Sequence, residues 1–514
     1  MRIGIDVGGT NTDAVLMDGP EVLASHKTPT TSDVTSGITT ALKIILSETD
    51  VRAEAITHVM IGTTHFTNAV VERRRLTPVA VVRLGLPATK ALPPMVDWPE
   101  DLRDAIGNLS YLAHGGHEFD GREISKLDEA ELRGIGADIR QRGIHSVAIS
   151  SVFSPVNPEI EQTTADILRT EIPDVSITLS HEIGRIGLLE RENAAIMNAC
   201  LRDLAVQIVA SFGKALNDLN ITAPFYISQN DGTLMNAEFA EKYPVLTFAS
   251  GPTNSMRGAA FLSNVKEAMV VDIGGTTSDV GMLIQGFPRE ASVVVDVGGV
   301  RTNFRMPDVY SFGLGGGTRI RQDGDKLTIG PDSVGYELTT KALIFGGDTL
   351  TTTDIIVADG QADIGDPKAV SDLSDDLVKS TINKMQEMTE IAVDRMKTSA
   401  EPIPVIVVGG GSILVTQPVT GASEMIKPPH FAVANAIGAA IAQVGGETDR
   451  IFSLDKMSRE EALAEAREEA IQKAVTAGAD PATVQIMDIE EVPLAYLPSS
   501  ATRIRIKAVG DLAL

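Results

Sequence analysis

Short apolar runs alternate with stretches of helical periodicity along most of the chain. The β-branched runs at 79–83, 146–152, 225–228 and 405–408 read as strands, and 36–46, 130–142 and 372–399 place apolar residues at helical spacing. Residues 190–217 form a long helical candidate that could join two halves, and 431–444 is a helix of small apolar residues. This alternation predicts an α/β class. Near the end the pattern changes. Ser458-Arg459-Glu460-Glu461 is a capping box opening a charged helix to about Ala477, and 484–489, 493–497 and 502–509 read as short strands. The expected organisation is a first domain over 1–190, a connecting helix over 191–222, a second domain over 223–450 and a small α+β tail over 451–514.

An internal repeat sharpens this picture. Asp6-Val7-Gly8-Gly9-Thr10-Asn11-Thr12-Asp13 recurs as Asp272-Ile273-Gly274-Gly275-Thr276-Thr277-Ser278-Asp279. Both copies lie between apolar runs, which predicts a β-hairpin rather than a strand leading into a helix. Paired glycines let backbone approach a ligand, and successive N–H groups can form an anion-binding nest. An aspartate beside a phosphate needs a cation between them. Two facing hairpins therefore suggest a nucleotide–Mg²⁺ site gripped from both sides. Asp296-Val297-Gly298-Gly299 begins in the same way but lacks the hydroxyls, and reads as a structural turn. Val407-Val408-Gly409-Gly410-Gly411-Ser412 ends a buried strand in bare backbone, against which an adenine–ribose unit can lie. No Walker A pattern occurs.

Composition narrows the partners. A net charge of −25 argues against nucleic acid and against a polybasic membrane anchor. The apolar stretch 431–444 is interrupted by Asn435 and Gln443 and is too short for a membrane span. The single cysteine, Cys200, excludes an internal disulfide framework or a Cys-rich zinc site, and reads as buried and inert. Because the first residues already read as a strand, no signal peptide is expected and a reducing cytoplasm is the expected location.

The order hairpin, hairpin, Gly-Gly-Gly strand resembles the actin-like ATPase superfamily. Five further stretches resemble its hydantoinase A/5-oxoprolinase family: Gly62-Thr-Thr-His-Phe-Thr-Asn-Ala69, Ser180-His-Glu-Ile183, Leu189-Glu-Arg191 with Asn198-Ala199, Ser250-Gly-Pro252 and Gly330-Pro-Asp-Ser333. The resemblance runs from about Arg2 to Gly445. It implies two duplicated ribonuclease H-like domains and an ATP- and Mg²⁺-dependent subunit that phosphorylates the carbonyl oxygen of a small cyclic amide for hydrolytic ring opening. It also implies a hydantoinase B-type partner and an oligomer. A small-molecule kinase, a ketone-carboxylase ATPase subunit and a non-enzymatic ATP-driven switch are the competing readings. Carried onto this chain, Asp6 and Asp272 hold the metal. Gly8, Gly9, Thr10, Asn11, Thr12, Gly274, Gly275, Thr276 and Thr277 surround the phosphates, and Gly409, Gly410 and Gly411 meet the adenosine. Asp13 and Asp279 either position metal waters or pair within their hairpins. Thr63, Thr64, Asn68, Glu182 and Arg191 are substrate candidates. Larger members continue the Gly-Pro-Asp-Ser element with Pro-Gly-Pro and a cysteine, whereas this shorter chain continues Val334-Gly-Tyr-Glu-Leu338.

Other polar features have plainer readings. His114 and His117 read as a surface loop, and His65 and His181 lie inside the family-like stretches. Arg73, Arg74 and Arg75 read as a solvated helix end. Arg301, Arg305, Arg319 and Arg321 either recognise an acidic substrate or pair at the surface.

Overall fold

The computed structural model describes residues 1–31, 34–119, 121–291, 294–324, 326–455, 457–495 and 500–513. Both repeats are hairpins. Arg2–Val7 runs antiparallel to Asn11–Asp18 and parallel to His58–Thr63. Ala268–Ile273 runs antiparallel to Ser278–Ile284 and parallel to Ile403–Val408, so the same three-strand unit occurs twice. Around the first unit grows a nine-stranded sheet in the order Gln485–Pro493, Ala501–Gly510, Gln443–Ser453, Thr233–Asn236, Phe225–Ser228, His58–Thr63, Arg2–Val7, Asn11–Asp18 and Glu21–Pro29. The second unit sits in a smaller sheet, flanked by the helix Asp375–Met396. A third sheet, inserted in the first half, has four parallel strands: Leu109–His114, Val79–Leu86, Ser146–Ser151 and Ser176–Leu179.

Strand pairing redraws the boundaries expected from periodicity, because pairing joins residues far apart in sequence. Phe225–Ser228 pairs with His58–Thr63, in the sheet of the first half. The strand Gln443–Ser453 crosses residue 450, and the tail strands extend that same sheet. The charged helix Arg459–Thr476 begins with the expected capping box. It turns Ala462, Ala466, Ala470 and Ala474 inward, sharing a core with Met60 and Leu234. Small side chains at every fourth position let this helix lie close to the sheet, and a Cβ on Gly446 would stand 2.2 Å from Ala474 N. The tail is thus integral to the first lobe. The helix expected over 431–444 is confined to Ala434–Ala440 after a short 3₁₀ turn, and its end is strand. Of the strand expected at 493–497, Pro493 closes the edge strand Gln485–Pro493, while 496–499 lie outside the described residues.

Leu188–Asn217 is long and apolar enough to cross a membrane, yet its residues line the first-lobe core. The second lobe also sends an arm into that core. Val295–Val297 and Val300–Thr302 form a hairpin whose turn uses Gly298 (φ 62°) and Gly299 (φ 88°), the conformation a two-residue turn between twisted strands requires. This is the structural turn expected there. Val297, Val300 and Phe304 join the first-lobe cluster, and Phe304 meets Phe248 edge-on at 5.6 Å. Arg73, at the left-handed end of the helix His65–Glu72, donates to Gly298 O at 2.8 Å.

The helix Ala434–Ala440 packs on the strand Arg2–Val7, and the helix Ser250–Ser263 packs on that helix in turn. Ser250–Ser263 and Ala434–Ala440 touch backbone to backbone: a Cβ on Gly258 would lie 1.9 Å from Ala434 O, and one on Gly438 1.8 Å from Asn254 O. Only glycine permits this approach, which carries Asn254 and Asn435 to the first hairpin.

Candidate nucleotide site between the repeated hairpins

Each hairpin tip closes in the same way. Gly8 N donates to Asn11 O at 3.0 Å, and Gly274 N donates to Thr277 O at 2.9 Å. The tips face one another, with Thr10 Oγ1 and Thr276 Oγ1 3.4 Å apart. Thr12 and Ser278 instead turn inward. The Thr12 hydroxyl meets Thr30 Oγ1 at 3.4 Å, so this residue, expected among the phosphate contacts, belongs to the sheet behind the tip.

The carboxylates line this junction. Asp6 is buried and accepts hydrogen bonds from Asn254 Nδ2 at 3.4 Å and Asn435 Nδ2 at 3.0 Å. Asn435 Nδ2 also donates to Asp13 at 2.8 Å, and Lys27 Nζ lies 2.7 Å from Asp13 Oδ2. Burial, with the charges of Asp13 and Asp272, lifts the Asp6 carboxyl to about 6. Burial also raises Asp272, with Asp13 adding to the effect, while a bond from Ser255 and the Lys27 charge pull the other way. Burial and the Asp272 charge lift Asp279 to about 6 although Ser311 donates to it. Several carboxylates thus share one field that makes ionisation costlier than in water, and a cation would relieve it. No group of three or more His, Cys, Asp or Glu among the described residues is arranged to hold a metal alone. This donor set fits Mg²⁺, which binds through one or two carboxylates and completes its shell with water and phosphate oxygens.

Glycines pack where side chains cannot. A Cβ on Gly62 would lie 2.3 Å from Asp6 Oδ1, and one on Gly409 2.2 Å from Asp272 Oδ1, so each half sets its aspartate against bare backbone of the neighbouring parallel strand. Gly411 N donates to Ile273 O at 2.7 Å, whereas a Cβ on Gly410 would meet nothing within 4 Å. Gly410 therefore offers open backbone beside the second tip. On its other side Gly316 N and Gly317 N donate to Gly274 O (3.1 Å) and Gly275 O (2.7 Å). The hydroxyls of Thr352 and Thr353 tie down Gly316 O in turn.

Three substrate candidates gather at the first tip. Thr64 Oγ1 donates to Val7 O at 3.2 Å, Asn68 Nδ2 donates to Thr64 Oγ1 at 3.4 Å, and Thr63 Oγ1 lies 2.6 Å from His65 Nδ1. Burial, with Arg75 nearby, lowers His65 to about 4, so it is neutral at ordinary pH. The other two candidates lie elsewhere. Glu182 accepts from the Tyr243 hydroxyl at 2.8 Å and from Lys242. Arg191 is fully buried and donates to Ser180 Oγ and to the carbonyls of Arg185, Ile186 and Ser151, which leaves it no reach toward a ligand. Family-like sequence around it marks a packing role.

The remaining polar features are paired. His114 meets Glu131, His117 meets Asn157, Arg301 pairs with Glu190, and Arg319 and Arg321 pair with Asp332. Arg305 joins Glu447 and Asp449 of the tail strands. Burial pushes Cys200 up to about 12.

Sequence reasoning missed Asn254, Asn435, Lys27, Gly62 and the 315–317 loop. Asn435 left a signal, a polar residue inside a helix of small apolar ones. Lys27 left none, since only strand register brings it opposite Asp13.

Two family models match the chain: the hydantoinase/oxoprolinase N-terminal region over residues 2–172 and hydantoinase/oxoprolinase over 191–363. Curated relatives include the caprolactamase subunit alpha of Pseudomonas jessenii, 29% identical over 70% of this chain and 54% of the relative. The acetophenone carboxylase gamma subunit of Aromatoleum aromaticum is 27% identical over 70% of this chain and 53% of the relative. The chain thus spans about half the length of these relatives. Among solved structures, the ATP-dependent caprolactamase from Pseudomonas jessenii superposes with a TM-score of 0.79 at 20% identity, covering 100% of this chain and 88% of that one. Nucleotide-free acetone carboxylase gives 0.74 at 18% identity, with the same coverage. The fold is that of these actin-like ATPase-type proteins.

Proposed function

The chain belongs to the hydantoinase/oxoprolinase family, and from that premise we propose that it is an ATP- and Mg²⁺-dependent subunit that activates a small cyclic amide for hydrolytic ring opening. The observation that carries this reading is the meeting of the two hairpin tips amid under-compensated carboxylates, with Gly410 backbone open at one side.

A lactam resists water because its nitrogen donates into the carbonyl. ATP, when bound with Mg²⁺, would supply a phosphoryl group to the carbonyl oxygen. Water can then add to the carbon, the C–N bond can break with the ring nitrogen leaving as the amine, and a second water can release phosphate from the resulting acyl phosphate. Everything else falls to the chain. Asp6 and Asp272 hold the metal from opposite lobes, each fixed against a glycine of the adjoining strand. Asn435 and Asn254 lock the Asp6 carboxylate, and Lys27 offsets charge at Asp13. Tip amides at Gly8–Gly9 and Gly274–Gly275, with the hydroxyls of Thr10 and Thr276, orient the phosphate oxygens. Thr64 and Asn68 stand where an acceptor carbonyl would approach the first tip. Catalysis of this kind is positioning and charge neutralisation.

Because the relatives carry the names of subunits, a co-encoded partner is part of the proposal. The likeness to acetophenone carboxylase supports a second reading, in which the same cleft activates a ketone. An ADP-release screen over lactams, hydantoins, 5-oxoproline and ketones, with and without that partner, separates the two. Amide-dependent ADP release that Asp272→Asn lowers at least 100-fold is the expected result. Release driven only by ketones and bicarbonate would replace the amide reading with the second one.

A further inference from the structure

A cavity of about 520 Å³ opens at the opposite end of the helix Ala434–Ala440 from Asn435, away from the hairpin tips. Its size falls within the roughly 300–1,000 Å³ of small-ligand sites. Phe261, on the helix Ser250–Ser263, and Ile441 give it an apolar wall. Around that wall stand two arginines and two aspartates, Arg2, Arg257, Asp18 and Asp511, none of which the nucleotide cleft uses.

Arg257 precedes Phe261 by one helical turn, so the two share a face, and it is only 8% exposed. Its guanidinium lies over the Phe287 ring, with Cζ 3.6 Å from the centroid, and Nη1 donates to Gly286 O at 3.4 Å. Among the described residues it forms no ion pair, and its Nε has no hydrogen-bond partner. The charge of Asp231 reaches it, but that carboxylate is paired with Lys507 Nζ at 2.8 Å. Burial pushes the guanidinium down to about 10. Other deeply buried arginines of the chain are matched: Arg83 meets Glu192, and Arg505 meets Glu290. A buried cation without a counter-charge is costly, and one on a cavity wall calls for an anion. The other charges fix what else that anion carries. Asp18 stands beside Arg2 at one end of the first hairpin, where Arg2 lies opposite Met17, yet among the described residues neither forms an ion pair. Asp511 Oδ1 accepts from Gln443 Nε2 at 3.0 Å, which leaves Oδ2 for a ligand. A phosphate dianion would be repelled by both aspartates, whereas an ammonium group would be held by them.

We propose that this cavity binds a small zwitterionic amino acid, with its carboxylate at Arg257, its ammonium at Asp18 and Asp511 and its methylene groups against Phe261 and Ile441, at a site distinct from the nucleotide cleft. Only the identification of that amino acid as an opened ring rests on the reading of the chain as an amide-opening ATPase. Hydrolysis of a lactam leaves one carboxylate and one ammonium on a short methylene chain, which is the pattern of charge that the cavity presents in reverse.

Isothermal titration of the full chain without nucleotide tests this, with glutamate, 5-aminopentanoate and 6-aminohexanoate as probes. At least one is expected to bind saturably, and the same carbon chain stripped of its ammonium or of its carboxylate to bind at least tenfold more weakly. Asp18→Asn lies on an exposed turn and is expected to keep the melting temperature while weakening binding at least tenfold. Arg257→Met is expected to abolish binding and to melt no lower than wild type, because it removes a charge that the empty chain carries unpaired. A melting temperature for Arg257→Met well below wild type would mark a structural cation and overturn the proposal. So would the absence of saturable binding by all three probes, equal binding of a chain lacking its ammonium, or binding that Asp18→Asn and Arg257→Met leave unchanged. Should no lactam drive ADP release with any partner, the amide reading fails, and the titration still decides the site.

Discussion

Thr10 Oγ1 and Thr276 Oγ1 lie 3.4 Å apart, so the two halves of the repeat touch at their corresponding threonines. A Cβ on Gly275 would stand 3.2 Å from Thr10 Cγ2, leaving no space for a phosphate between the tips. The structure is a shut cleft, and nucleotide entry requires the tips to part.

This can be trapped. The chain's one cysteine, Cys200, is buried and inert, so a Thr10→Cys/Thr276→Cys double variant introduces the sole reactive pair. Oxidation is expected to link the tips and abolish ATP binding, and reduction to restore it. Full ATP affinity in the oxidised, cross-linked form would show that nucleotide binds elsewhere.

Asp6 gives a pH signature. Its carboxyl is raised from 3.8 to about 6, so the folded chain holds this proton at pH values where the unfolded chain has released it. The associated stability is present below about pH 4 and is lost as pH rises through 6. One raised carboxyl of this size corresponds to roughly 2–3 kcal/mol. The melting temperature of Asp6→Asn minus that of wild type, without nucleotide, is therefore expected to grow between pH 4 and pH 7. Nucleotide–Mg²⁺ affinity should rise over the same range, as metal binding displaces the proton. A flat difference in melting temperature would refute the raised value.

The adjacent glycines separate fold from binding. Gly410→Val places its side chain in open space and is expected to keep the melting temperature while weakening ATP at least tenfold in equilibrium titration. Gly409 has φ 86° and would drive a Cβ against Asp272, so Gly409→Ala is expected to lower stability as well.

The helix contact behind Asp6 is backbone against backbone. Gly438→Ala is expected to destabilise the chain by about 3 kcal/mol, at the upper end of overpacking costs. It also moves Asn435 away from Asp6. Chemical denaturation measures the first effect, and ATP titration of whatever remains folded measures the second.

What was legible in the sequence follows from what is local. The hairpins were readable because a glycine pair between apolar runs encodes its own turn, and the repetition put Asp6 and Asp272 at equivalent positions of the two hairpins. Thr63, Thr64 and Asn68 were singled out by resemblance alone, and they lie beside the first tip because Thr63 ends the strand that pairs with Arg2–Val7 and the other two follow it. Lys27 was not, since its partner is set by cross-strand register, nor was Asn254, which a helix crossing carries to Asp6. The tail was misplaced for the same reason: nothing in residues 443–510 says which strand they will pair with. Arg191 misled in the opposite sense, because a residue that braces a loop is as deeply embedded in motif-like sequence as one that meets a ligand.

The arm around Gly298 bears on how this protein can be handled. Val297, Val300 and Phe304 complete a core otherwise made by residues 3–248, and the strands after residue 442 complete its sheet. Cutting the chain between the repeats would not release two stable pieces. The front piece would lack an interior wall and three strands, so split expression or half-by-half truncation is expected to yield aggregates, and the repeat visible in the hairpins does not mark two separable halves.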